Sequence, residues 1–331
     1  MNVLVTMPFP DELLERMRAV DPSLNVTRAP VGEASYDGVD VLYCNEPPAP
    51  EAAPALRWVQ LHLAGANALF EHPIYTSSDV PLTTTSGVHA ATTAEFALTM
   101  MLALAHRLPR ILEWQGKGAW PPDQQRWPLF VPAALRGKTL GIIGYGSIGR
   151  EVARLATSAL GMTVLACKRD PSTRIDTGYV QPGTGDPTGA LPSEWFAPQD
   201  VAQLLARSDV VVMCAPLTPE TQGMLGVQQL ASMKPDALLI NVGRGATIDE
   251  AALLAALKDR QIQGAALDVF AEEPLPAGHA FYGLDNVILS AHVSGFLPTY
   301  DEVCTTLFCE NLRRFLREEP LLNLLDRAKG Y

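Results

Sequence analysis

Residues 138–149, KTLGIIGYGSIG, decide the fold of this chain. The apolar run at 140–143 predicts a short buried parallel strand, and residues 150–160 continue with apolar side chains at helical intervals. Between them, Gly144, Gly146 and Gly149 provide the G-x-G-x-x-G spacing. The first glycine allows a tight turn, the second lets the backbone approach a pyrophosphate, and the third lets the helix pack on the strand. The stretch therefore predicts a dinucleotide site at a helix N-terminus.

Composition limits the classes of protein to which the chain can belong. With 331 residues it is long enough for two domains, and its net charge of −11 argues against non-specific nucleic-acid binding. No apolar run approaches the roughly 20 residues needed to span a bilayer. The N-terminus, MNVLVTMPF, predicts a first strand and lacks the pattern of a signal peptide. The five cysteines have no metal-ligand spacing, so we expect reduced thiols in the cytoplasm and no structural metal.

The rest of the chain alternates between strand and helix patterns. Strands are predicted at 2–7, 39–43, 58–63 and 83–85, which indicates an open α/β unit before the glycine motif. After the motif, strands are predicted at 163–167, 209–214, 238–241, 265–269 and 287–289, with helices at 201–205 and 250–258. This is a βαβ series of the length expected for a full doubly wound domain. A last helix at 307–316 is predicted to pack on the N-terminal domain.

Three segments between these elements are less regular. From about Ala91 the pattern becomes helical, and residues 92–108, TTAEFALTMMLALAHRL, predict a buried helix because they are apolar on most faces. Residues 116–132 are rich in Trp, Pro and Gln and predict an extended arm, which forms a subunit interface or packs on its own domain. Residues 171–198 form a long Pro- and Gly-rich connection, either functional or a tolerated surface insertion.

Ionisable side chains follow three of the predicted strands. Arg244 comes after 238–241, Glu273 after 265–269, and His292 after 287–289. Ligands of open α/β sheets bind beyond the carboxyl ends of the strands, so these three residues are candidates for one cleft. Together they suit carbonyl reduction: histidine is a proton donor, a carboxylate orients the imidazole, and arginine binds a substrate carboxylate in a bidentate fork. Taken singly, each also fits a loop arginine, a solvated turn glutamate or a core histidine.

Five motifs make the family recognisable. The segments GIIGYGSIG, PLTPET, NVGRGATIDEAAL, GAALDVFAEEPLP and NVILSAHVSG closely resemble the D-isomer-specific 2-hydroxyacid dehydrogenases, from about residue 56 to the end. The resemblance implies that Arg244 binds and polarises a 2-oxoacid, His292 is the acid/base, and Glu273 rather than Glu272 pairs with His292. One departure is Ala291, where many relatives carry proline.

The resemblance also implies a binding site for each ligand. Backbone around Ala64 and Gly65 would hold the substrate carboxylate, together with Arg244 and His292, and Asp268 would hold the nicotinamide carboxamide. The residues implied to bind the cofactor are Gly144, Gly146, Ser147, Ile148, Gly149, Lys168, Arg169, Pro216, Thr221, Val242, Gly243, Asp268 and Gly295. No metal is implied.

The implied architecture is α/β with two domains. A Rossmann-type doubly wound parallel sheet would occupy residues 99–293, and a smaller flavodoxin-like α/β substrate domain would occupy 1–98 and 294–331. Family members close the two domains over the substrate. They are usually homodimers, joined here through a dimerisation arm at about 110–136.

The end of the second strand of the nucleotide domain bears on the choice of cofactor. NAD-dependent relatives place an acidic residue there for the ribose 2′-hydroxyl, whereas this chain has Lys168 and Arg169. Two cations suit the extra phosphate of NADP(H), which we favour. NAD(H) remains the alternative, with Asp170 on the ribose.

NADP preference is common among glyoxylate/hydroxypyruvate reductases of the family, so a small 2-oxoacid is the expected substrate. A 2-oxoacid with a larger side chain is an alternative, because the pocket walls come from loops around His62, Val88 and Phe296 that the sequence does not place. Phosphite oxidation, as in a related branch of the family, is another alternative. Glu273 argues against the formate dehydrogenase branch, and a chain ending at Tyr331 argues against long phosphoglycerate dehydrogenases. A nucleotide-sensing corepressor is the alternative from another class, disfavoured because no long tail is present.

Overall fold

A computed structural model of the chain describes residues 1–330, which form two compact units. Unit 1 consists of Met1–His89, Thr177–Gln181 and residues 297–330, and unit 2 of Ala90–Asp176 and Pro182–Phe296. The predicted domain limits at 98/99 and 293/294 remain predictions. Helices occupy the following ranges: α1 (Asp11–Arg18), α2 (Pro73–Thr76), α3 (Ala90–Ala105), α4 (Leu108–Gly116), α5 (Asp123–Phe130), α6 (Ser147–Leu160), α7 (Val201–Arg207), α8 (Val227–Ala231), α9 (Glu250–Lys258) and α10 (Tyr300–Leu316).

Unit 1 contains a five-stranded parallel sheet. Its strands pair in the order β2-β1-β3-β4-β5, which is the flavodoxin-like order and confirms the predicted fold class. Apolar side chains of α1 and α10 pack together in one core, so the last helix closes the N-terminal unit as predicted. The strands are β1 (Asn2–Val5), β2 (Asn25–Arg28), β3 (Val41–Cys44), β4 (Trp58–Leu61) and β5 (Leu82–Thr83).

Unit 2 contains a seven-stranded parallel sheet in the order β12-β11-β10-β9-β6-β7-β8. Separate apolar clusters cover its two faces, as in a doubly wound sheet. Strand order reverses between β6 and β9, which is where such sheets bind nucleotides. The strands are β6 (Thr139–Ile143), β7 (Thr163–Cys167), β8 (Pro192–Phe196), β9 (Val210–Met213), β10 (Leu238–Asn241), β11 (Gly264–Leu267) and β12 (Val287–Leu289).

Two expectations about the irregular segments were wrong. The predicted extended arm at 116–132 contains helix α5, which accommodates Pro128 within it. The predicted connection at 171–198 contains strand β8, which pairs with β7 through an irregular register. Within residues 1–330, none of the helices is long and apolar enough to cross a bilayer.

Candidate functional site

The glycine motif connects β6 to α6, and its three glycines have different surroundings. Gly144 has φ +97°, and a Cβ there would lie 2.5 Å from the Ala215 amide nitrogen. A Cβ on Gly149 would lie 2.5 Å from the Gly144 carbonyl oxygen, whereas a Cβ on Gly146 would meet nothing within 4 Å. Gly144 and Gly149 are therefore required by the turn and by helix packing, and Gly146 leaves open space for a ligand.

The N-terminus of α6 faces that open space. The first intrahelical hydrogen bond of α6 joins the Arg150 amide to the Gly146 carbonyl. The amides of Ser147, Ile148 and Gly149 precede it and are directed out of the helix end, where they suit an anion. These residues fit the pyrophosphate of a dinucleotide.

The segment after β7 carries the three charged residues, Lys168, Arg169 and Asp170, that the sequence analysis considers for the nucleotide ribose. Both carboxylate oxygens of Asp170 are occupied: Oδ1 accepts from the Ser172 amide and hydroxyl at 3.0 and 2.6 Å, and Oδ2 accepts from the Thr173 hydroxyl at 2.6 Å. The Ser172 and Thr173 hydrogen bonds lower the pKa of Asp170 to about 2. The Asp170 carboxylate therefore stabilises the turn at residues 170–173.

The two cations beside Asp170 have separate partners. Lys168 Nζ donates to the Thr173 carbonyl at 2.6 Å, and burial followed by the nearby Arg150 charge lowers the pKa of Lys168. Arg169 Nη2 lies 3.2 Å from Glu220 Oε2. Glu220 belongs to the turn in which the hydroxyl of Thr221 donates to the carbonyl of Pro216 at 2.7 Å. This ion pair therefore connects the end of β7 to the Pro216–Thr221 turn.

Buried hydrogen bonds that the sequence did not indicate join the connection at residues 171–198 to Tyr145 and to Arg150 of α6. Arg150 is 2% exposed and donates to the carbonyls of Arg174 and Asp186. The Asp186 carboxylate accepts from the Tyr145 hydroxyl at 2.8 Å. The partners are 24 to 41 residues apart in sequence, and no motif connects them.

The three strand-end residues predicted to act chemically all lie in unit 2. His292 Nδ1 donates to Glu273 Oε2 at 2.8 Å, and the other Glu273 oxygen accepts from the Phe270 amide at 3.0 Å. The side chains of His292 and Glu273 are 47% and 36% exposed, so the pair faces an accessible surface. Because Nδ1 is engaged by the carboxylate, Nε2 is the nitrogen left for a substrate.

Arg244 follows β10 and is half-buried. Its Nη1 donates to the Gly243 carbonyl at 2.7 Å. Burial lowers the pKa of Arg244, and the charge of Glu273 opposes that shift. Glu273 therefore acts electrostatically on the arginine and accepts a hydrogen bond from the histidine.

A buried carboxylate organises the turn that carries His292. Asp268 is 1% exposed; its Oδ1 accepts from the Ser290 hydroxyl and the Val293 amide at 2.6 and 3.0 Å, and its Oδ2 accepts from the Ser294 amide at 2.9 Å. Burial acts to raise the pKa of Asp268, but these hydrogen bonds outweigh it and the net shift is downward. His292 has φ +53°, a conformation that a non-glycine residue keeps only when its surroundings enforce it. The carboxylate of Asp268 is well placed to enforce it.

The remaining residues predicted to bind the cofactor lie at the ends of neighbouring strands or in the turns after them. Val242 and Gly243 follow β10, and a Cβ on Gly243 would lie 2.9 Å from the Ala215 carbonyl, so this backbone packs closely on its neighbour. Gly295 comes directly after the turn held by Asp268. In residues 1–330 there is no group of three or more His, Cys, Asp or Glu side chains that could hold a metal ion.

Ala64 and Gly65 lie in unit 1, directly after β4 and the buried His62. Both are half-buried, and neither amide donates a hydrogen bond to an acceptor within residues 1–330. Two consecutive partly buried amides without a protein acceptor suit a carboxylate ligand.

Comparison with known proteins identifies relatives along most of the chain. Residues 98–294 match the family model of the D-isomer specific 2-hydroxyacid dehydrogenase NAD binding domain. The glyoxylate reductase of Thermococcus litoralis is 35% identical over 279 residues, covering 84% of this chain and 79% of that protein. The glyoxylate reductase of Thermococcus gammatolerans is 34% identical over 322 residues, covering 95% of this chain and 85% of that protein.

Solved structures show the same architecture. A D-isomer specific 2-hydroxyacid dehydrogenase from Xanthobacter autotrophicus, in complex with NADPH and MES, has a TM-score of 0.79 at 28% identity, covering 100% of this chain and 99% of that one. An NADPH-dependent glyoxylate/hydroxypyruvate reductase from Sinorhizobium meliloti, in complex with NADP and sulfate, has a TM-score of 0.73 at 26% identity, with the same coverage of both chains.

Proposed function

Because the chain belongs to the D-isomer specific 2-hydroxyacid dehydrogenase family, we propose that it reduces a small 2-oxoacid of the glyoxylate or hydroxypyruvate type with NADPH. The chain is an oxidoreductase with an NAD-binding domain at residues 98–294. The observation that carries the proposal is the 2.8 Å contact between His292 and Glu273 beside the arginine that follows β10.

In the proposed reaction a bound nicotinamide would supply the hydride for the C2 carbon of the oxoacid. The Nε2 proton of His292 goes to the carbonyl oxygen, which gives the 2-hydroxyacid, of D configuration wherever C2 becomes a stereocentre. Glu273 keeps the Nδ1 proton in place and orients the ring, and Arg244 pairs with the substrate carboxylate and polarises the carbonyl. The free amides of Ala64 and Gly65 provide further donors for that carboxylate.

The preference for NADPH rests on the residues after β7. Asp170 uses both carboxylate oxygens within its own turn, so it has little capacity left for a ribose hydroxyl. Lys168 and Arg169 then provide the charge that an additional phosphate requires. Both solved relatives named above were crystallised with NADP or NADPH, which supports the same preference.

We also propose that the protein is a homodimer joined through residues 110–136. Helices α4 and α5 bury no residue of their own, and Trp120 and Trp127 are 80% and 76% exposed. These tryptophans do not pack on their own unit, so the arm offers an apolar surface to a second copy. Light scattering on the purified protein tests this, with a monomer as the contrary result. The cytoplasmic location stays a prediction.

The test of function is the initial rate of NADPH and NADH oxidation, measured side by side with glyoxylate, hydroxypyruvate and pyruvate. Faster turnover with NADPH on the first two substrates is expected. His292→Ala should reduce kcat by at least about a hundredfold, in line with the loss of a general acid, while NADPH still binds. Turnover by His292→Ala equal to that of the wild type would contradict the assigned acid. No turnover by the wild type would favour the corepressor or phosphite alternatives.

A further inference from the structure

Unit 1 contains a series of hydrogen-bonded polar side chains, Tyr43, His62 and Asp301, and His62 comes just before the Ala64–Gly65 loop. His62 is 7% exposed and Tyr43 is fully buried. The hydroxyl of Tyr43 lies 2.9 Å from His62 Nδ1, and His62 Nε2 lies 3.3 Å from Asp301 Oδ1 at the start of α10. The side chain of Asp301 is 48% exposed, so the chain of contacts runs from the core to the surface.

The direction of these hydrogen bonds follows from the partners. A carboxylate only accepts, so in neutral His62 the proton lies on Nε2 and is donated to Asp301. Nδ1 is then the acceptor, and the buried Tyr43 hydroxyl donates to it. Burial lowers the pKa of His62, the Asp301 carboxylate acts against that shift, and His89 adds to it. The neutral imidazole is the form that satisfies both partners.

The backbone of His62 is held as firmly as its ring. Its amide donates to the Cys44 carbonyl at 2.8 Å, and its carbonyl accepts from the Tyr300 hydroxyl at 3.0 Å. One residue later, the Leu63 carbonyl accepts from the Thr85 amide at 2.9 Å. The free amides of Ala64 and Gly65 come next, so their direction is set by the orientation of the preceding residues.

The aromatic surroundings allow the His62 ring little freedom to rotate. Phe9, Tyr43 and Tyr300 stand edge-on to it with ring centroids 5.3, 5.6 and 4.8 Å away. The ring of His89 stacks on Tyr300 with centroids 4.7 Å apart. This contact supports the position of Tyr300, whose hydroxyl donates to the His62 carbonyl. Both ring nitrogens and both backbone polar groups of His62 have partners, so the position of this residue is fixed on every side.

We propose that His62 is a positioning residue for substrate binding: the Tyr43–His62–Asp301 chain fixes the loop whose amides receive the substrate carboxylate. The inference rests on the proposed function, since it takes Ala64 and Gly65 as carboxylate donors. Removing the hydrogen bond of His62 to Tyr43 or to Asp301 leaves the catalytic groups of unit 2 in place. It should therefore weaken binding of the oxoacid and leave the hydride and proton transfers unaltered.

The experiment compares Tyr43→Phe, Asp301→Ala and Asp301→Asn, with Asp37→Ala as an exposed control in the same unit. Tyr43→Phe and Asp301→Ala should each raise the KM for glyoxylate or hydroxypyruvate about five- to tenfold, with kcat within twofold and the KM for NADPH unchanged. Asp301→Asn keeps an oxygen acceptor for Nε2 and should restore a KM within twofold of the wild type.

Oxalate binding to the NADP-bound enzyme, measured by calorimetry, tests the same point without turnover, because oxalate presents a carboxylate to the loop. Its Kd should rise five- to tenfold in the same two variants and stay unchanged in the control. Failure of the wild type to turn over any oxoacid refutes the proposed function alone, and the oxalate series then decides the inference. Unchanged oxalate affinity in both Tyr43→Phe and Asp301→Ala overturns the inference about His62. The inference is also overturned if kcat and NADPH binding fall as much as oxoacid binding and the unfolding midpoint is lowered, because the variants then disturb the whole protein.

Discussion

Replacement of Asp268 by asparagine tests how the turn that carries His292 is held. The carboxylate accepts three hydrogen bonds at 2.6, 3.0 and 2.9 Å in a site that is 1% exposed. In Asp268→Asn one oxygen still accepts from Ser290 and Val293, but the amide NH₂ is turned toward the Ser294 N–H. One hydrogen bond to a charged acceptor is lost and two donors face each other.

The expected loss in the free energy of unfolding is about 2–3 kcal/mol, from the ordinary value of a hydrogen bond to a charged group together with an unsatisfied buried donor. Displacement of His292 by even a fraction of an ångström should also lower kcat/KM by at least about tenfold. Urea unfolding followed by tryptophan fluorescence measures the first quantity, and initial rates with glyoxylate measure the second. Asp236→Asn, at an exposed aspartate of the same unit, is the matched control.

Two results would refute this reasoning in different ways. A stability within about 0.5 kcal/mol of the wild type, with unchanged kcat/KM, would mean that the carboxylate does not hold the turn. Unchanged stability with a raised KM for NADPH would instead support the role implied by family resemblance, in which Asp268 binds the nicotinamide carboxamide.

Three further predictions follow from the same geometry. Lys168→Asp combined with Arg169→Ala should raise the KM for NADPH far more than that for NADH; equal effects in steady-state assays would mean that these side chains do not bind the phosphate. Gly149→Ala should lower the free energy of unfolding by about 1–3 kcal/mol, because its Cβ would lie 2.5 Å from a backbone oxygen. Gly146→Ala should fold normally and lose nucleotide affinity, and equal unfolding midpoints for the two glycine variants would contradict this contrast. Because burial lowers the pKa of His62, the stability it contributes is present above its unfolded pKa of about 6.5 and is lost as pH falls. Wild type should therefore lose more stability than His62→Gln between about pH 7.5 and 5.5 in urea titrations.

The elements that the sequence predicted best are those whose pattern is local and strong. Strands Thr163–Cys167 and Leu238–Asn241 and helix Glu250–Lys258 have the predicted bounds, because their apolar or periodic patterns are unbroken. Strand Asn25–Arg28 was not predicted, since only Val26 in it is buried and an edge strand of polar residues carries little signal. Strand Pro192–Phe196 was not predicted; it begins with proline, a residue that sheets tolerate at the first position of a strand and at an edge.

The candidate site was predictable where it depends on strand ends and not where it depends on long-range packing. Arg244, Glu273 and His292 could be found because parallel strands bring their carboxyl ends to one edge of the sheet. The contact of His62 with Asp301 joins opposite ends of the chain and carries no local signal. Such contacts become visible only once the fold is known.

Three carboxylates illustrate what sequence alone leaves undecided. Asp170, Asp268 and Glu273 all follow strands, and each could be assigned a ligand by position. The structure distinguishes them by the hydrogen bonds each already accepts. Asp170 accepts hydrogen bonds from its own turn, and Asp268 accepts them from the turn that carries His292. Glu273 accepts one hydrogen bond from the Phe270 amide and one from the His292 ring. The role of an acidic residue at a strand end therefore depends on which groups donate to its oxygens, and these groups lie two to twenty-six positions away in the sequence.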